Sequence, residues 1–156
     1  MKAAVTLIAV VALLAGCGAS TATPTEQPGV FMTRILREEI NGQWAKQWDE
    51  LHPGHKKLIS RAAYVSCSRG MATNFGTGKE IFQVLAVQDD PIDVEGVPQK
   101  TAKLVTISLK TAASPTALTY RLHAVAVDGH WTWILGGRFL AQVERGRCLD
   151  GSPLRR

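Results

Sequence analysis

The chain has 156 residues and a formal net charge of +5 at pH 7, from 18 Lys and Arg against 13 Asp and Glu. This length suits one folded domain with a single hydrophobic core. The basic excess is spread along the chain rather than gathered on one face beside aromatic residues, which argues against a nucleic-acid-binding protein.

The first sixteen residues have the pattern of an export signal. Lys2 is their only charge, and an apolar run follows it as far as Leu14. A short basic start before about 7–15 apolar residues is typical of a secretory signal, whereas a membrane-spanning helix needs about 20 apolar residues. We therefore expect residues 1–16 to be a signal peptide that the mature protein lacks.

The segment "LAGC" at residues 14–17 resembles the bacterial lipobox, in which the cysteine is linked to diacylglycerol and becomes the first mature residue. The resemblance implies that Cys17 carries diacylglycerol and further acylation such as palmitate. It places the protein in the bacterial cell envelope, anchored to a membrane on its extracytoplasmic side. Because each buried CH₂ contributes about 0.8 kcal/mol, two or more acyl chains give a stable anchor.

Residues 17–29 are rich in Ser, Thr, Gly and Pro, a composition that cannot bury enough apolar surface to fold. We expect a flexible tether between the lipid and the folded domain. The alternative interpretation of the N-terminus is a plain signal peptide, or an uncleaved anchor, with an incidental cysteine at position 17.

Two helices are predicted after the tether. Residues 30–52 have the period of a long amphipathic helix, with Pro53 and Gly54 at its end. Gly42 weakens the middle of that helix by about 1 kcal/mol relative to Ala. Residues 55–69 predict a second, shorter helix. The apolar stripe of the first helix comprises Phe31, Ile35, Ile40, Trp44, Trp48 and Leu51.

From residue 80 onward the pattern changes to strands, with segments at 80–87 and 101–111 and a hairpin over 117–136. Asp128 and Gly129 form a two-residue turn of the type that needs positive φ at both positions. That turn places two tryptophans opposite two alanines on one face, which suits the packing of a helix. The predicted pairs are Val127 with His130, Ala126 with Trp131, Ala124 with Trp133, and Leu122 with Leu135.

The other face of the hairpin is more polar and is expected to point to solvent; it carries Arg121, His123, Val125, His130 and Thr132. Residues 138–148 predict a last strand or short helix. Residues 149–156 are expected to form a loose tail.

Helices followed by antiparallel strands indicate an α+β fold, a single domain over residues 30–148 with a long and a shorter helix packed on a curved antiparallel sheet. The motifs "WAKQWDELHPGHK", "SRAAYVSC" and "DGHWTWIL" are similar to those of small exported proteins of the nuclear-transport-factor-2-like superfamily, a cystatin-like α+β fold. The resemblance covers about residues 30–140 and implies a cone with a cavity between helix and sheet. It implies no reaction, because the same cone serves enzymes, binders and assembly modules.

Two cysteines remain when Cys17 carries lipid. Cys67 and Cys148 form an even pair in an oxidising compartment, which predicts a disulfide. It would close a loop of about 80 residues, for which the chain-entropy model gives about 4–5 kcal/mol. A zinc site is the weaker alternative because no fitting pattern of histidines accompanies the thiols, and a redox pair would more often have the C-x-x-C spacing.

Aromatic residues are the candidates for a ligand pocket between helix and sheet, although they would equally fill a core. These residues are Trp44, Trp48, Trp131, Trp133 and Tyr120. Asp49, His52 and Tyr64 are weak catalytic candidates, since a carboxylate three residues from an imidazole on a helix can orient it for proton transfer. Pro53-Gly54 separates His52 from His55 and breaks a helical metal-site spacing, so neither a metal nor another cofactor is expected.

The expected function is a non-enzymatic binding or interaction module at the cell envelope. Its partner would be an envelope protein or a small apolar ligand, besides the membrane itself. The alternative is a small cofactor-free isomerase or hydrolase that uses the cavity between helix and sheet.

Overall fold

The computed structural model describes residues 23–71, 79–111 and 114–154. The expected signal peptide, Cys17 and the first part of the tether lie outside these residues. In the part of the chain that is described, no helix is long and apolar enough to cross a membrane.

The described chain is an α+β fold, as predicted, with a four-stranded antiparallel sheet in the order β1-β2-β3-β4. The helices are α1 (Pro28–Ile40), α2 (Trp44–Asp49), α3 (Pro53–Leu58), α4 (Arg61–Met71) and α5 (Gly137–Glu144). The strands are β1 (Ile81–Pro91), β2 (Thr101–Thr111), β3 (Ser114–Val127) and β4 (His130–Trp133). The segment after β4, for which either a strand or a short helix is expected, forms α5.

The single helix predicted over residues 30–52 is interrupted between α1 and α2. Gly42 lies in the left-handed region at φ +66°, and the N–H of Gln43 reaches back 2.7 Å to the carbonyl of Glu38. Glycine adopts this conformation without steric cost and commonly ends a helix. The apolar period continues through the break, which is why the pattern alone suggests one element.

The second predicted helix is also two helices, α3 and α4. Ile59 has an extended backbone between them, and the Oγ of Ser60 accepts a hydrogen bond from the N–H of Ala63, 3.2 Å away. Serine in this position caps the first turn of α4. His52 caps α3 in the same way, because its Nδ1 accepts from the N–H of Gly54 at 3.1 Å.

The hairpin has the turn expected from its sequence, with φ of 49° at Asp128 and 78° at Gly129. The first three predicted pairs are confirmed, including Ala124 with Trp133. The pair of Leu122 with Leu135 does not form, because β4 ends at Trp133. The N–H of Leu135 donates instead to His55 Nδ1, at 2.9 Å.

The main hydrophobic core lies between the helices and the face of the sheet that carries the tryptophans. A second, smaller cluster lies on the opposite face, where Ile92 and Val97 of the β1–β2 connection cover Val125. Val125 is fully buried, so the expectation that it points to solvent is wrong. The connection looks polar in sequence, but its apolar residues Ile92, Val94 and Val97 close this face of the sheet.

The disulfide between Cys67 and Cys148 is present, with the two Cα atoms 5.1 Å apart. It joins α4 to the segment that follows α5. Residues 149–154, for which a loose tail is expected, make a compact turn: the N–H of Cys148 donates to Ser152, and the N–H of Leu154 donates to Gly146.

The folded domain begins a few residues earlier than expected. Pro28 starts α1, and the carbonyl of Glu26 accepts a hydrogen bond from the indole of Trp131 at 2.6 Å. Arg34 forms ion pairs with Glu26 and Glu50, so residues 26–29, expected as tether, are attached to the core.

Candidate functional site

A cavity of about 310 Å³ lies between the helices and the sheet. Three helices, two strands and the segment around α5 contribute to its wall. The helices supply Leu36, Glu39 and Ile40 from α1, Trp44 and Gln47 from α2, and Tyr64 and Ser68 from α4, and the strands supply Tyr120 from β3 and Trp133 from β4. The segment around α5 supplies Leu135, Gly136, Arg138 and Phe139, and Leu149 lies beyond it. Most of this wall is apolar and much of it is aromatic. A pocket of this size and character can hold a small organic molecule.

The break in the long helix shapes one side of this cavity. Ile40 ends α1 and Trp44 begins α2, and both face the cavity. The indole of Trp44 packs close to Gly42, where a Cβ would lie 3.3 Å from the ring. The left-handed glycine therefore lets the chain turn tightly enough for both helices to supply the wall.

Gln47 is a buried polar residue that fixes the position of two aromatic side chains. Its Nε2 donates to the carbonyl of Ile35 at 2.9 Å, and its Oε1 accepts from the hydroxyl of Tyr64 at 2.8 Å. Its backbone carbonyl accepts from the indole N–H of Trp133 at 2.7 Å. A buried network in which each hydrogen-bonding group is satisfied is rigid, so this side of the cavity is preorganised.

Tyr64 is held as a neutral phenol. Burial raises its pKa well above the usual value for tyrosine, and the negative charges of Glu39 and Glu38 add to that shift. The hydroxyl of Ser68 acts against this rise in the pKa of Tyr64. The Oγ of Ser68 nevertheless has no hydrogen-bond partner in the described structure.

Ser68 is therefore an unsatisfied polar group in the wall of the cavity. The residue is only 4% exposed, and it borders the cavity from α4. A buried hydroxyl without a partner costs about 1–3 kcal/mol. A ligand with a polar atom at this point would recover that free energy.

Glu39 stands at the rim of the cavity, where its outer surface is open to solvent. Even so, the protein around its carboxyl group raises the pKa, and a hydrogen bond from Gln47 opposes that shift. Among the described residues, no lysine, arginine or histidine forms an ion pair with Glu39. Arg138 also borders the cavity but lies too far away to pair with it.

Three of the five aromatic residues predicted for the pocket line it, namely Trp44, Tyr120 and Trp133. Trp48 does not, because its indole N–H donates to the carbonyl of Ile59 at 3.1 Å and Lys56 lies over its ring. Trp131 does not either, since it turns toward the start of the domain and bonds to Glu26.

The weak catalytic candidates do not form a catalytic group. Asp49 lies on the surface in a two-bond contact with Arg61, which holds the pKa of its carboxyl below the usual value. His52 is buried, with its two ring nitrogens bonded to Gly54 and Gln99 rather than to Asp49. Tyr64 does face the cavity, but its hydroxyl is committed to Gln47.

Three residues of the cavity wall were not predicted from the sequence: Glu39, Gln47 and Ser68. Gln47 lies three residues after Trp44, so it falls within the apolar stripe, and a polar residue there is a signal for a buried network. Glu39 looks like an ordinary exposed helix residue, and Ser68 like one of several serines. Within the described ranges, no group of three or more His, Cys, Asp and Glu residues is arranged to hold a metal ion.

No protein-family model, curated protein or solved structure matches this chain. The assignment of a function therefore depends on the geometry of the site and on the sequence motifs.

His52 and His55 attach the β1–β2 connection to α3, and their ring nitrogens are fully used. Each Nδ1 accepts a backbone N–H, from Gly54 and Leu135 respectively. Each Nε2 therefore carries the proton and donates it, to Gln99 Oε1 at 3.0 Å and to the carbonyl of Glu95 at 3.1 Å. A second proton on either ring would have to sit on Nδ1, which already accepts a backbone N–H, so protonation would break that hydrogen bond.

We expect the free energy of unfolding to fall when the pH is lowered below about 6.5, the pKa of an unfolded histidine. Burial lowers the pKa of both His52 and His55 by more than their hydrogen bonds raise it. The unfolded chain then binds protons that the folded chain does not, so stability is retained above pH 6.5 and lost on acidification. Each histidine contributes a slope of up to about 1.4 kcal/mol per pH unit, measured by urea titration at pH 5.5–7.5.

His52→Asn is the matched variant for this prediction. Asparagine caps helices well and can still accept the N–H of Gly54, but it does not titrate. In the variant, the free energy of unfolding should change less steeply with pH, by the contribution of one histidine. Buried carboxyl groups such as Glu38 contribute equally in both proteins, so their effect cancels when the two slopes are compared. Equal slopes in the two proteins would contradict the role of His52.

Proposed function

We propose that this protein is a lipid-anchored binding module of the bacterial cell envelope whose α+β domain binds a small, largely apolar ligand. The observation that carries the proposal is the cavity of about 310 Å³ lined by Trp44, Tyr120 and Trp133. Binding pockets are mostly apolar concavities with a few polar groups at fixed positions, which is the pattern here. A cavity filled by the tryptophans would instead favour a protein partner.

The four tryptophans allow a test in which each indole N–H reports on a different place. The full chain, labelled with ¹⁵N in detergent micelles, is titrated with the neutral aromatic tert-butylbenzene. We expect the indole signals of Trp44 and Trp133 to shift and saturate, while those of Trp48 and Trp131 stay in place. Four signals that drift together, or none that moves, would contradict binding in the cavity.

Tyr120→Ala provides the matching variant, since it removes part of the cavity wall from a residue that is only half buried. Leu118→Ala is its control, because Leu118 lies on the same strand two residues away and outside the cavity. We expect tert-butylbenzene to bind at least about fivefold more weakly to Tyr120→Ala, in keeping with the loss of about 1 kcal/mol or more of aromatic contact. Leu118→Ala should bind as the unmodified chain does.

The lipid anchor is the second part of the proposal and is supported by the apolar run and the "LAGC" motif. We expect Cys17→Ser to lose lipid labelling and membrane retention in a bacterial host. Ser20→Ala, a change in the same tether, should keep both. Retention of Cys17→Ser on membranes at the level of the unmodified chain would show that the lipobox interpretation is wrong.

We propose further that the sheet and helices form the cone of the nuclear-transport-factor-2-like superfamily. Helices that precede the strands and pack on one face of the sheet, with a cavity between the two layers, support this assignment. A register shift between Val84 and Ala86 in β1 is also consistent with a curved sheet, because a bulge bends its strand.

A small cofactor-free isomerase or hydrolase is the second candidate, and Glu39 is the observation that favours it. A carboxyl group at the rim of a cavity with a raised pKa is a candidate for general acid–base catalysis. Binding is the better-supported function, because Tyr64 is committed to Gln47 and no base among the described residues is hydrogen-bonded to Ser68. A serine without a base is a weak nucleophile.

A further inference from the structure

The wall of the cavity is aromatic and carries an acidic residue at its rim. What these features imply for the charge of the ligand rests on the proposed binding function. Among the described residues, five aromatic side chains border the cavity, and each belongs to a different helix or strand: Trp44, Tyr64, Tyr120, Trp133 and Phe139. Aromatic rings present a negative face, and several rings around one space are the arrangement that attracts a cation.

The charge at the rim points in the same direction. Glu39 has no ion-pair partner among the described residues, although its carboxyl group lies at a cavity wall. The negative charge of Glu39 acts on two other residues of the cavity wall. Burial is the largest cause of the raised pKa of Tyr64 and of Tyr120, and the charge of Glu39 raises both pKa values further. A carboxylate that raises the pKa of two phenols produces a negative potential in the space between them.

The remaining polar groups fit an uncharged or cationic ligand. Gln47 and Tyr64 satisfy each other, so that, among the described residues of the cavity wall, the hydroxyl of Ser68 is the buried group without a hydrogen-bond partner. A hydroxyl oxygen can accept a hydrogen bond from an ammonium group or lie against its methyl groups. Among the described residues that line the cavity, Arg138 is the one with a positive charge, and it is exposed at the rim.

We infer that the cavity binds a small organic cation, a substituted ammonium group attached to an apolar body. The ammonium lies near Glu39 and the aromatic rings, and the apolar body lies against Leu36, Ile40 and Leu135. A weakly hydrated quaternary ammonium suits this site better than a primary amine, because less water must be removed from it on binding.

The test compares two probes of the same shape that differ in charge. Phenyltrimethylammonium and tert-butylbenzene are titrated into the ¹⁵N-labelled full chain in the same micelles, with the indole signals of Trp44 and Trp133 as the readout. We expect the cation to bind at least about tenfold more tightly, since the aromatic rings and the carboxylate of Glu39 attract a positive charge and not a neutral group. Benzoate, an anion of similar size, should bind most weakly of the three.

Glu39→Gln should reduce the preference for the cation, because it removes the negative charge at the rim while the aromatic rings remain. Glu144→Gln is the control, since Glu144 is an exposed carboxylate of α5 outside this cavity. It should behave as the unmodified chain.

The outcomes separate this inference from the proposed function. Equal binding of the cation and the neutral probe, tighter binding of benzoate, or an unchanged preference in Glu39→Gln would overturn the inference, while saturable binding of tert-butylbenzene would still support an apolar pocket. Failure of all three probes to shift the signals of Trp44 and Trp133 would overturn both.

Discussion

Removal of the disulfide between Cys67 and Cys148 is expected to lower the free energy of unfolding by about 2–5 kcal/mol. The two cysteines are 81 residues apart, and both are buried. In the chain-entropy model a cross-link of this span restricts the unfolded chain by about 4.5 kcal/mol at 25 °C. The native state also loses the connection between α4 and the C-terminal segment, which forms part of the cavity wall through Leu149.

Cys67→Ala/Cys148→Ala is the variant, measured by urea titration in parallel with the unmodified chain before and after reduction. Reduction should lower the free energy of unfolding of the unmodified chain to that of the double variant. It should leave the free energy of unfolding of the double variant unchanged. The two cysteine sites should also show no free thiol in freshly isolated, denatured protein that has not been reduced. Two free thiols beyond any at Cys17, or a difference in stability below about 1 kcal/mol, would contradict the prediction.

The hairpin shows what local sequence information can determine. Asp128 and Gly129 both take positive φ, and this turn type sets which residues pair on either side of it. The pairing of Ala126 with Trp131 and of Ala124 with Trp133 therefore follows from a dipeptide and the period of a strand. The predicted pairing fails at Leu135. Its N–H donates instead to the side chain of His55, eighty residues earlier in the chain.

The helical half was predicted less well because its breaks depend on single residues. The apolar stripe continues from Phe31 to Leu51, yet α1 ends at Ile40 and α2 begins at Trp44. Gly42, which lies between them, has a positive φ and changes the direction of the chain. A glycine inside a helical pattern is commonly tolerated, so the stripe alone does not distinguish a weakened helix from two helices. The burial of Val125 by Ile92 and Val97 is a tertiary contact between a strand and a loop, which strand alternation does not reveal.

The candidate site divides in the same way. The aromatic part of the cavity was predictable from hydrophobic periodicity, since Trp44 and Trp133 lie on the faces that pack together. The polar part was not, because the importance of Glu39 and Ser68 comes from what they lack among the described residues: Glu39 has no positive partner there, and Ser68 has no hydrogen bond. Neither property is encoded in residue spacing; both depend on which groups the fold brings near them.

Trp133→Ala is expected to destabilise the protein by about 3–5 kcal/mol, the usual cost of truncating a buried tryptophan. Trp133 is 9% exposed, packs edge-on against Tyr64 with ring centroids 6.0 Å apart, and donates its indole N–H to Gln47. The substitution removes the ring and leaves the carbonyl of Gln47 without this donor. Because the indole borders the existing cavity, water can enter the space that it vacates, so a loss near 3 kcal/mol is the closer expectation.

Trp131→Ala is the matched control, since it makes the same change on the same face of β4, two residues away. Trp131 is only half buried and lies outside the cavity, so its loss should be clearly smaller. Urea unfolding followed by circular dichroism compares the two variants without relying on tryptophan fluorescence. A loss below about 1 kcal/mol for Trp133→Ala would mean that the indole contributes little to the core, and its place as a fixed wall of the cavity would then be wrong.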